Sequence, residues 1–296
     1  MEKNGKLTPI IFGASGLLGA HLYDYYSQKD SHTIGTYASK ETKGLSQFQF
    51  SVNTLADLPL LDGQNYIAVI CASLTNIGYI NAHPIETAKI NVDGTISLIQ
   101  QLHQKKIPIL FISSDNVFTG DTGGYKDNSI DLPVSEYGKQ KRAVEQALID
   151  ITQGECTILR LAKIIGNSRS DNTILNDIIR QISAPEEVKA ASDLIFNPTF
   201  VGDIVKAINL LIETNAKGIF NFCNPEIFSR LDLVLKLADV FHISCHKIVE
   251  IKFSELDNSG KRPLNTTMIN SEFFSTFSFT SVEQCIENHI NFWSEM

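Results

Sequence analysis

Tyr137 and Lys141 stand four residues apart in the run Tyr137–Gly138–Lys139–Gln140–Lys141. On a helix that spacing puts a phenol and an ammonium on one face. A phenol beside a carbonyl oxygen can act as a general acid, and a neighbouring cation brings its pKa of about 10 toward neutrality. The spacing alone is cheap, because Tyr25 and Lys29 share it. Position separates the two pairs. Tyr137 comes soon after the apolar run 109–114, which ends in Ser113 and Ser114, whereas Tyr25 and Lys29 fall in the first helix and face away from a cofactor crevice. A serine at the carboxyl end of a strand can hydrogen-bond a substrate oxygen and share its developing charge. Ser114, Tyr137 and Lys141 are therefore the expected catalytic set.

A second piece of chemistry lies near the amino end, where Pro9–Ile10–Ile11–Phe12 runs into Gly13–Ala14–Ser15–Gly16–Leu17–Leu18–Gly19. This is a strand, a G-x-x-G-x-x-G turn and a helix start. Glycines let the backbone approach a pyrophosphate, and the helix N-terminus offers unpaired N–H groups and a positive dipole end. Dinucleotide binding by Gly13, Ser15, Gly16, Leu17, Leu18 and Gly19 is expected. An NAD site ends its second strand with an acid that holds the ribose hydroxyls. Here Thr36 is followed by Ser39 and Lys40, with no acid. A hydroxyl and an ammonium suit a 2′-phosphate, so NADPH is expected over NADH.

These groups need a frame. Short apolar runs at 9–12, 32–37, 66–71, 108–113 and 157–161 alternate with amphipathic stretches at 17–28, 84–104 and 137–152. Strands that read as continuous apolar runs are buried on both faces, as in a parallel sheet covered by helices. The expectation is a doubly wound α/β (Rossmann) domain over residues 1–165. Residues 166–296 form a smaller substrate lobe, with a soft, partly interleaved boundary. In that lobe 172–182, 200–213, 230–241 and 281–293 read as helices and 218–221 and 247–252 as extended. Thr280 and Glu283 have capping-box spacing before the last helix.

The whole chain narrows the class. It has 296 residues, 43% of them hydrophobic, enough to bury a large core. A formal charge of −8 argues against a nucleic-acid partner. Five cysteines without metal-like spacing fit free thiols in a reducing compartment. Neither a signal peptide nor a membrane helix is expected, so the protein is read as cytoplasmic. No metal-ligand cluster is visible.

The order of these pieces resembles the extended short-chain dehydrogenases, and among them the dTDP-4-dehydrorhamnose reductase group. The resemblance covers nearly the whole chain. It includes GASGLLG at 13–19, ASLT at 72–75, NVDGT at 91–95, FISSDNVFTG at 111–120, the Tyr125…Pro133…Tyr137…Lys141…Glu145 run and RPLNT at 262–266. The resemblance implies hydride transfer from NADPH to C4 of a 4-keto-6-deoxy sugar nucleotide. In that scheme Tyr137 donates the proton, Lys141 binds the cofactor ribose and lowers the tyrosine pKa, and Ser114 orients the carbonyl. It also implies Ser51 and Val52 near the adenine and Cys71, Ala72 and Ser73 on the nicotinamide side. Thr75, Asp115, Asn116, Val117, Phe118, Lys163 and Arg262 would meet the substrate. Apart from the resemblance, an acidic chain must still present local cations to an anionic ligand, so Arg262, with Lys163 and Arg160, is expected at the diphosphate or base of a sugar nucleotide, a strand-end structural salt bridge being the alternative for Arg160. A homodimer is common in the group.

Several positions depart from the group's pattern. Asn116 replaces a tyrosine, Lys163 stands where Arg-x-x-Trp ends, Asn76–Ile77–Gly78 replaces an acidic position, and Ser114 replaces threonine. A sugar other than the rhamnose precursor is the expectation. Asn116 cannot ionise, which counts against a 4,6-dehydratase but leaves an epimerase open. The regulatory β subunit of methionine adenosyltransferase resembles the same group, so a non-catalytic NADP-binding partner protein is the rival reading.

Overall fold

The computed structural model describes residues 7–130, 132–166, 168–257 and 261–293. They pack as two interleaved compact units. The first holds the described residues up to Ser113 together with Lys139–Leu159 and Val205–Ile219; the second holds Ser114–Gly138, Arg160–Ile204 and the described residues from Phe220 on.

A seven-stranded sheet organises the first unit. Its strands are β1 (Thr8–Phe12), β2 (Ile34–Tyr37), β3 (Ser46–Gln47), β4 (Tyr66–Ile70), β5 (Ile109–Ser114), β6 (Thr157–Leu161) and β7 (Gly218–Phe222). They lie in the order β7-β6-β5-β4-β1-β2-β3. β1 pairs in parallel with β2 and β4, β2 with β3, and β4 with β5. Every residue of β1, β4, β5 and β6 is buried, which is why those segments carry apolar runs rather than alternation. Parallel pairing needs crossovers, supplied by α1 (Leu17–Ser27), by the short α2 (Ile77–Ala82) and α3 (Pro84–Ala88) with α4 (Thr95–Gln104), and by α5 (Glu136–Thr152). The core beneath includes Ile10, Phe12, Phe48, Ile70, Leu98, Phe111, Val144 and Ile158. This is a Rossmann-type fold.

The sequence suggested one helix over 84–104, but α3 and α4 are joined through a π-helical turn at Lys89–Gly94. The turn ends at Gly94, where a Cβ would lie 2.8 Å from Phe50 Cβ.

In the second unit α6 (Ile174–Ser183), α8 (Arg230–Val240) and α9 (Val282–Trp293) bury one apolar cluster with Leu175, Ile178, Val234, Leu237, Val282 and Ile286 at its centre. Val188–Ala191 pairs in parallel with Ile248–Ile251. The capping box ahead of α9 sits one residue later than its spacing suggested. Ser281 accepts from Gln284 N and donates to Gln284 Oε1, while Thr280 donates to Asp203. Asp203 is fully buried at the start of α7 (Val201–Glu213), and it takes the threonine that would otherwise have capped the helix.

Candidate active site

β1 ends in the glycine turn. Gly13 has φ +89°, and a Cβ on it would lie 2.7 Å from the Ala72 backbone, so only glycine fits there. Gly16 donates to the Gly13 carbonyl at 3.0 Å and is the N-cap of α1, with no side chain capping the helix. Ser15 and Gly16 are exposed and Leu17 half-buried, while Leu18 and Gly19 are buried against the turn. A Cβ on Gly16 would meet only the Gly13 carbonyl, at 3.4 Å. The turn thus keeps an open face lined by backbone N–H groups at a helix N-terminus, a donor set that fits a pyrophosphate. Thr36 is buried and its hydroxyl accepts from Gly13 N at 3.1 Å, bracing the turn from β2. Ser39 and Lys40, beyond the end of β2, are exposed, as are Ser51 and Val52.

Beyond β4, Cys71 N and Ala72 N both donate to the Phe12 carbonyl. Ser73 and Leu74 are then held by a residue that sequence reasoning missed. Asn91 is buried on the π-helical turn, and its Oδ1 accepts from Leu74 N at 2.8 Å and Ser73 Oγ at 3.2 Å. Its Nδ2 donates to Gln140 Oε1 at 2.8 Å, and Gln140 donates to Thr87 at 2.9 Å. The signal was a polar residue on what read as a buried helix face; its partners are long-range and were not visible. Thr75 is exposed.

Lys141 belongs to this unit. It is buried, stands 4.7 Å over the Phe111 ring, and donates to the Ile112 carbonyl at 2.9 Å. Burial lowers its pKa to about 8, against the raising influence of the Cys71 thiol and Glu145. Ser113 donates to the buried Glu145 carboxylate at 2.6 Å, which in turn pairs with Arg142 at 3.0 Å. Of the two strand-end serines, Ser113 is therefore spent inside the fold.

Ser114, Asp115, Asn116 and Tyr137 gather in the second unit. Ser114 ends β5, and its hydroxyl donates to Asp115 Oδ1 at 2.9 Å while accepting from Asn116 N at 3.2 Å. Tyr137, in the first turn of α5 and one turn before Lys141, is buried and hydrogen-bonded to Ser114. Burial and then the Asp115 carboxylate push the phenol well above its ordinary 10, with the Ser114 bond opposing. The phenol therefore stays protonated at neutral pH, and its pKa is raised where the sequence suggested lowering. Burial also raises Asp115, against bonds from Thr266, Ser114 and Asn116 and the charge of Lys163. Asn116 Nδ2 donates to Asp115 Oδ1 at 2.8 Å.

Lys163 and Arg262 lie close enough to Asp115 to feel its charge. Lys163 is solvent-accessible but crowded by protein, which lowers its pKa, and Arg262 lowers it further. Arg262 packs 5.6 Å from the Phe253 ring, and burial with repulsion from Arg230 lowers its pKa against Asp257. Arg230, which sequence reasoning missed, pairs with Asp177 at 3.2 Å. Arg160 is almost fully buried, donates to the Asp127 carbonyl at 3.0 Å and lies 5.1 Å over the Phe118 ring. The Val117 and Phe118 side chains are likewise committed to a small core with Tyr125 and Met268.

Lys29 donates to Tyr25 at the exposed end of α1 remote from the glycine turn. A hollow of about 870 Å³ at the amino ends of β1, β4 and β5, lined by Pro9, Tyr26, Tyr66 and Pro108 among others, holds none of the expected site residues. Among the described residues no cluster of His, Cys, Asp and Glu could hold a metal, and no helix is long and apolar enough to cross a membrane.

Residues 8–290 match the model of the RmlD substrate binding domain. The chain belongs to that family. It is 24% identical over 268 residues to methionine adenosyltransferase 2 subunit beta of Bos taurus, covering 88% of this chain and 79% of that protein. It is 25% identical to the probable low-salt glycan biosynthesis reductase Agl14 of Haloferax volcanii, over 86% of each chain. The solved structure of dTDP-4-dehydrorhamnose reductase from Bacillus anthracis in complex with NADP superposes with a TM-score of 0.78 at 21% identity, over 98% of this chain and 100% of that one. That likeness extends the RmlD family's fold to nearly the whole length.

Proposed function

We propose that this protein is an NADPH-dependent reductase of a 4-keto sugar carried on a nucleotide, with Tyr137 as proton donor. The observation that carries the reading is the hydrogen-bonded Ser114–Tyr137 pair, one serine at the end of β5 and one tyrosine opening α5, with Lys141 a turn further on. Family membership, a relative named as a probable reductase and a neighbour holding NADP support it.

The glycine turn takes the pyrophosphate on backbone N–H groups, and Ser39 with Lys40 takes the 2′-phosphate. Reduced nicotinamide supplies the hydride. Tyr137, held protonated by burial and by Asp115, gives its proton to the oxygen of the carbonyl as that carbon is reduced. Lys141, whose ammonium is fixed by the Ile112 carbonyl, would hold the cofactor ribose. Lys163, Arg262 and Arg230 supply the positive charge that a nucleoside diphosphate requires on a chain of net charge −8.

The experiment is consumption of NADPH with a panel of 4-keto-deoxy sugar nucleotides, comparing wild type with Tyr137→Phe. General acid catalysis is worth about 10²–10⁴ in rate, so the variant loses that factor while still binding NADPH. Equal turnover in the two proteins sinks the assignment of Tyr137.

A second reading rests on the 24% identity to a methionine adenosyltransferase subunit. On it the chain binds NADP and serves as a partner protein. Tight NADPH binding with no turnover on any panel member favours this reading.

A further inference from the structure

Resting on the reductase reading, we propose that Asp115 recharges Tyr137 with a proton through the Ser114 hydroxyl after each turnover. Three groups form a continuous chain within one unit. Tyr137 is hydrogen-bonded to Ser114, and Ser114 Oγ donates to Asp115 Oδ1 at 2.9 Å. Asn116 fixes both ends of the link, its backbone N–H on Ser114 Oγ at 3.2 Å and its Nδ2 on Asp115 Oδ1 at 2.8 Å. In this arrangement the Ser114 hydroxyl points its proton at the Asp115 carboxylate. A hydroxyl bridging a phenol and a carboxyl is placed to pass a proton in one direction and accept its replacement from the other.

The proton balance is simple. Reduction takes the Tyr137 proton onto the new alcohol oxygen and leaves a phenolate. The Asp115 carboxylate takes up a proton from solvent; Ser114 then gives its own proton to the phenolate as it takes the one on the Asp115 carboxyl, which returns Asp115 to the carboxylate that accepts from Ser114. Asp115 itself is 6% exposed. The groups facing it are Thr266, Ser114, Asn116, Lys163, Tyr137, Arg262 and Cys223. Among these Lys163 is the most exposed ionisable group, so the carboxylate meets solvent protons on that side. Burial raises the carboxyl above its ordinary range, which makes the protonated intermediate accessible; the cations opposing that shift keep it from holding the proton permanently.

Asp115→Asn tests this, because an amide can still accept from Ser114 but cannot ferry a proton. The first turnover uses the proton already on Tyr137, so in rapid-mixing kinetics the first equivalent of NADPH should be consumed clearly faster than later ones. Later turnovers should slow at least tenfold and gain a solvent deuterium isotope effect. Asp115→Glu, which keeps an acid within reach of Ser114, should restore later turnovers to within a few-fold. A readout without cofactor is the tyrosine ring ¹³C titration: loss of the carboxylate should move the Tyr137 transition to lower pH. If the first turnover slows as much as the later ones, or if neither slows, the relay is wrong, and Tyr137 is recharged by another route. A wild type that turns over no keto sugar at all refutes the underlying reductase reading instead, and the ¹³C titration then stands alone as the test of the Tyr137–Ser114–Asp115 coupling.

Discussion

Gly19→Ala puts one methyl group where the glycine turn has no room for it. The added Cβ would lie 2.7 Å from the Gly13 carbonyl carbon and 2.9 Å from Ala14 Cα, and would overlap the Gly13 oxygen. Ordinary contact begins at 3.4 Å, so the first turn of α1 must move away from β1 by at least 3.4 − 2.7 = 0.7 Å. All the obstructing atoms are backbone, braced by Thr36 and by the Ala72 backbone, and cannot swing aside as a side chain would. The N–H groups of the turn then miss a bound pyrophosphate. A hydrogen bond to a charged group is worth about 1.5–3 kcal/mol, so losing two weakens NADPH binding by about 10²-fold or more. Overpacking costs the fold about 1–3 kcal/mol besides. Calorimetric titration with NADPH, run beside thermal unfolding, reads both effects. An alanine variant that binds NADPH within threefold of wild type would mean that the turn does not hold the pyrophosphate.

Other expectations follow from the same coordinates. Lys40→Glu should cost about tenfold or more in NADPH affinity and leave NADH unchanged, measured by fluorescence titration; an equal loss for both would detach Lys40 from the 2′-phosphate. The folded pKa of Lys141, about 8, lies below its unfolded value of 10.5, so between those values the unfolded chain binds more protons and wild type gains stability as pH rises. Lys141→Met removes that gain, and its stability advantage over wild type should shrink by up to about 3 kcal/mol from about pH 7 to pH 10.5 in denaturant titrations; an advantage independent of pH contradicts the buried-cation assignment. Gly138→Ala would drive a Cβ into the Asn116 carbonyl and to 2.8 Å from Pro133, so a loss of about 1–3 kcal/mol should appear in thermal melts, with turnover falling too.

The sheet was legible because parallel strands buried on both faces advertise themselves as apolar runs, and four of its seven strands are buried throughout. The glycine turn was legible for a similar reason, since Gly13 and Gly19 face backbone that excludes any side chain. What escaped was long-range. Asn91 and Gln140 meet only once the π-helical turn brings them together, and nothing in either local stretch announces the other. Arg230 opens α8 like any helix-start residue, and its pairing with Asp177 depends on how α6 and α8 pack. Arg160 left two roles open in the sequence, a ligand cation or a strand-end structural one, and its bond to the Asp127 carbonyl and place over the Phe118 ring depend on long-range packing that charge does not reveal. The upward shift of Tyr137 was not legible because spacing on a helix reveals the neighbouring lysine but neither the burial of the phenol, which is the larger influence, nor the Asp115 carboxylate that follows β5.

The central claim is that hydride passes from NADPH to a keto carbon of a nucleotide-linked sugar. NADPH deuterated at the transferring position, incubated with the protein and a 4-keto-6-deoxy sugar nucleotide, tests it by mass spectrometry and proton NMR of the product. One deuterium on the new carbinol carbon, absent with Tyr137→Phe, is the expected result. An unlabelled sugar recovered from protein that binds NADPH tightly would contradict the account.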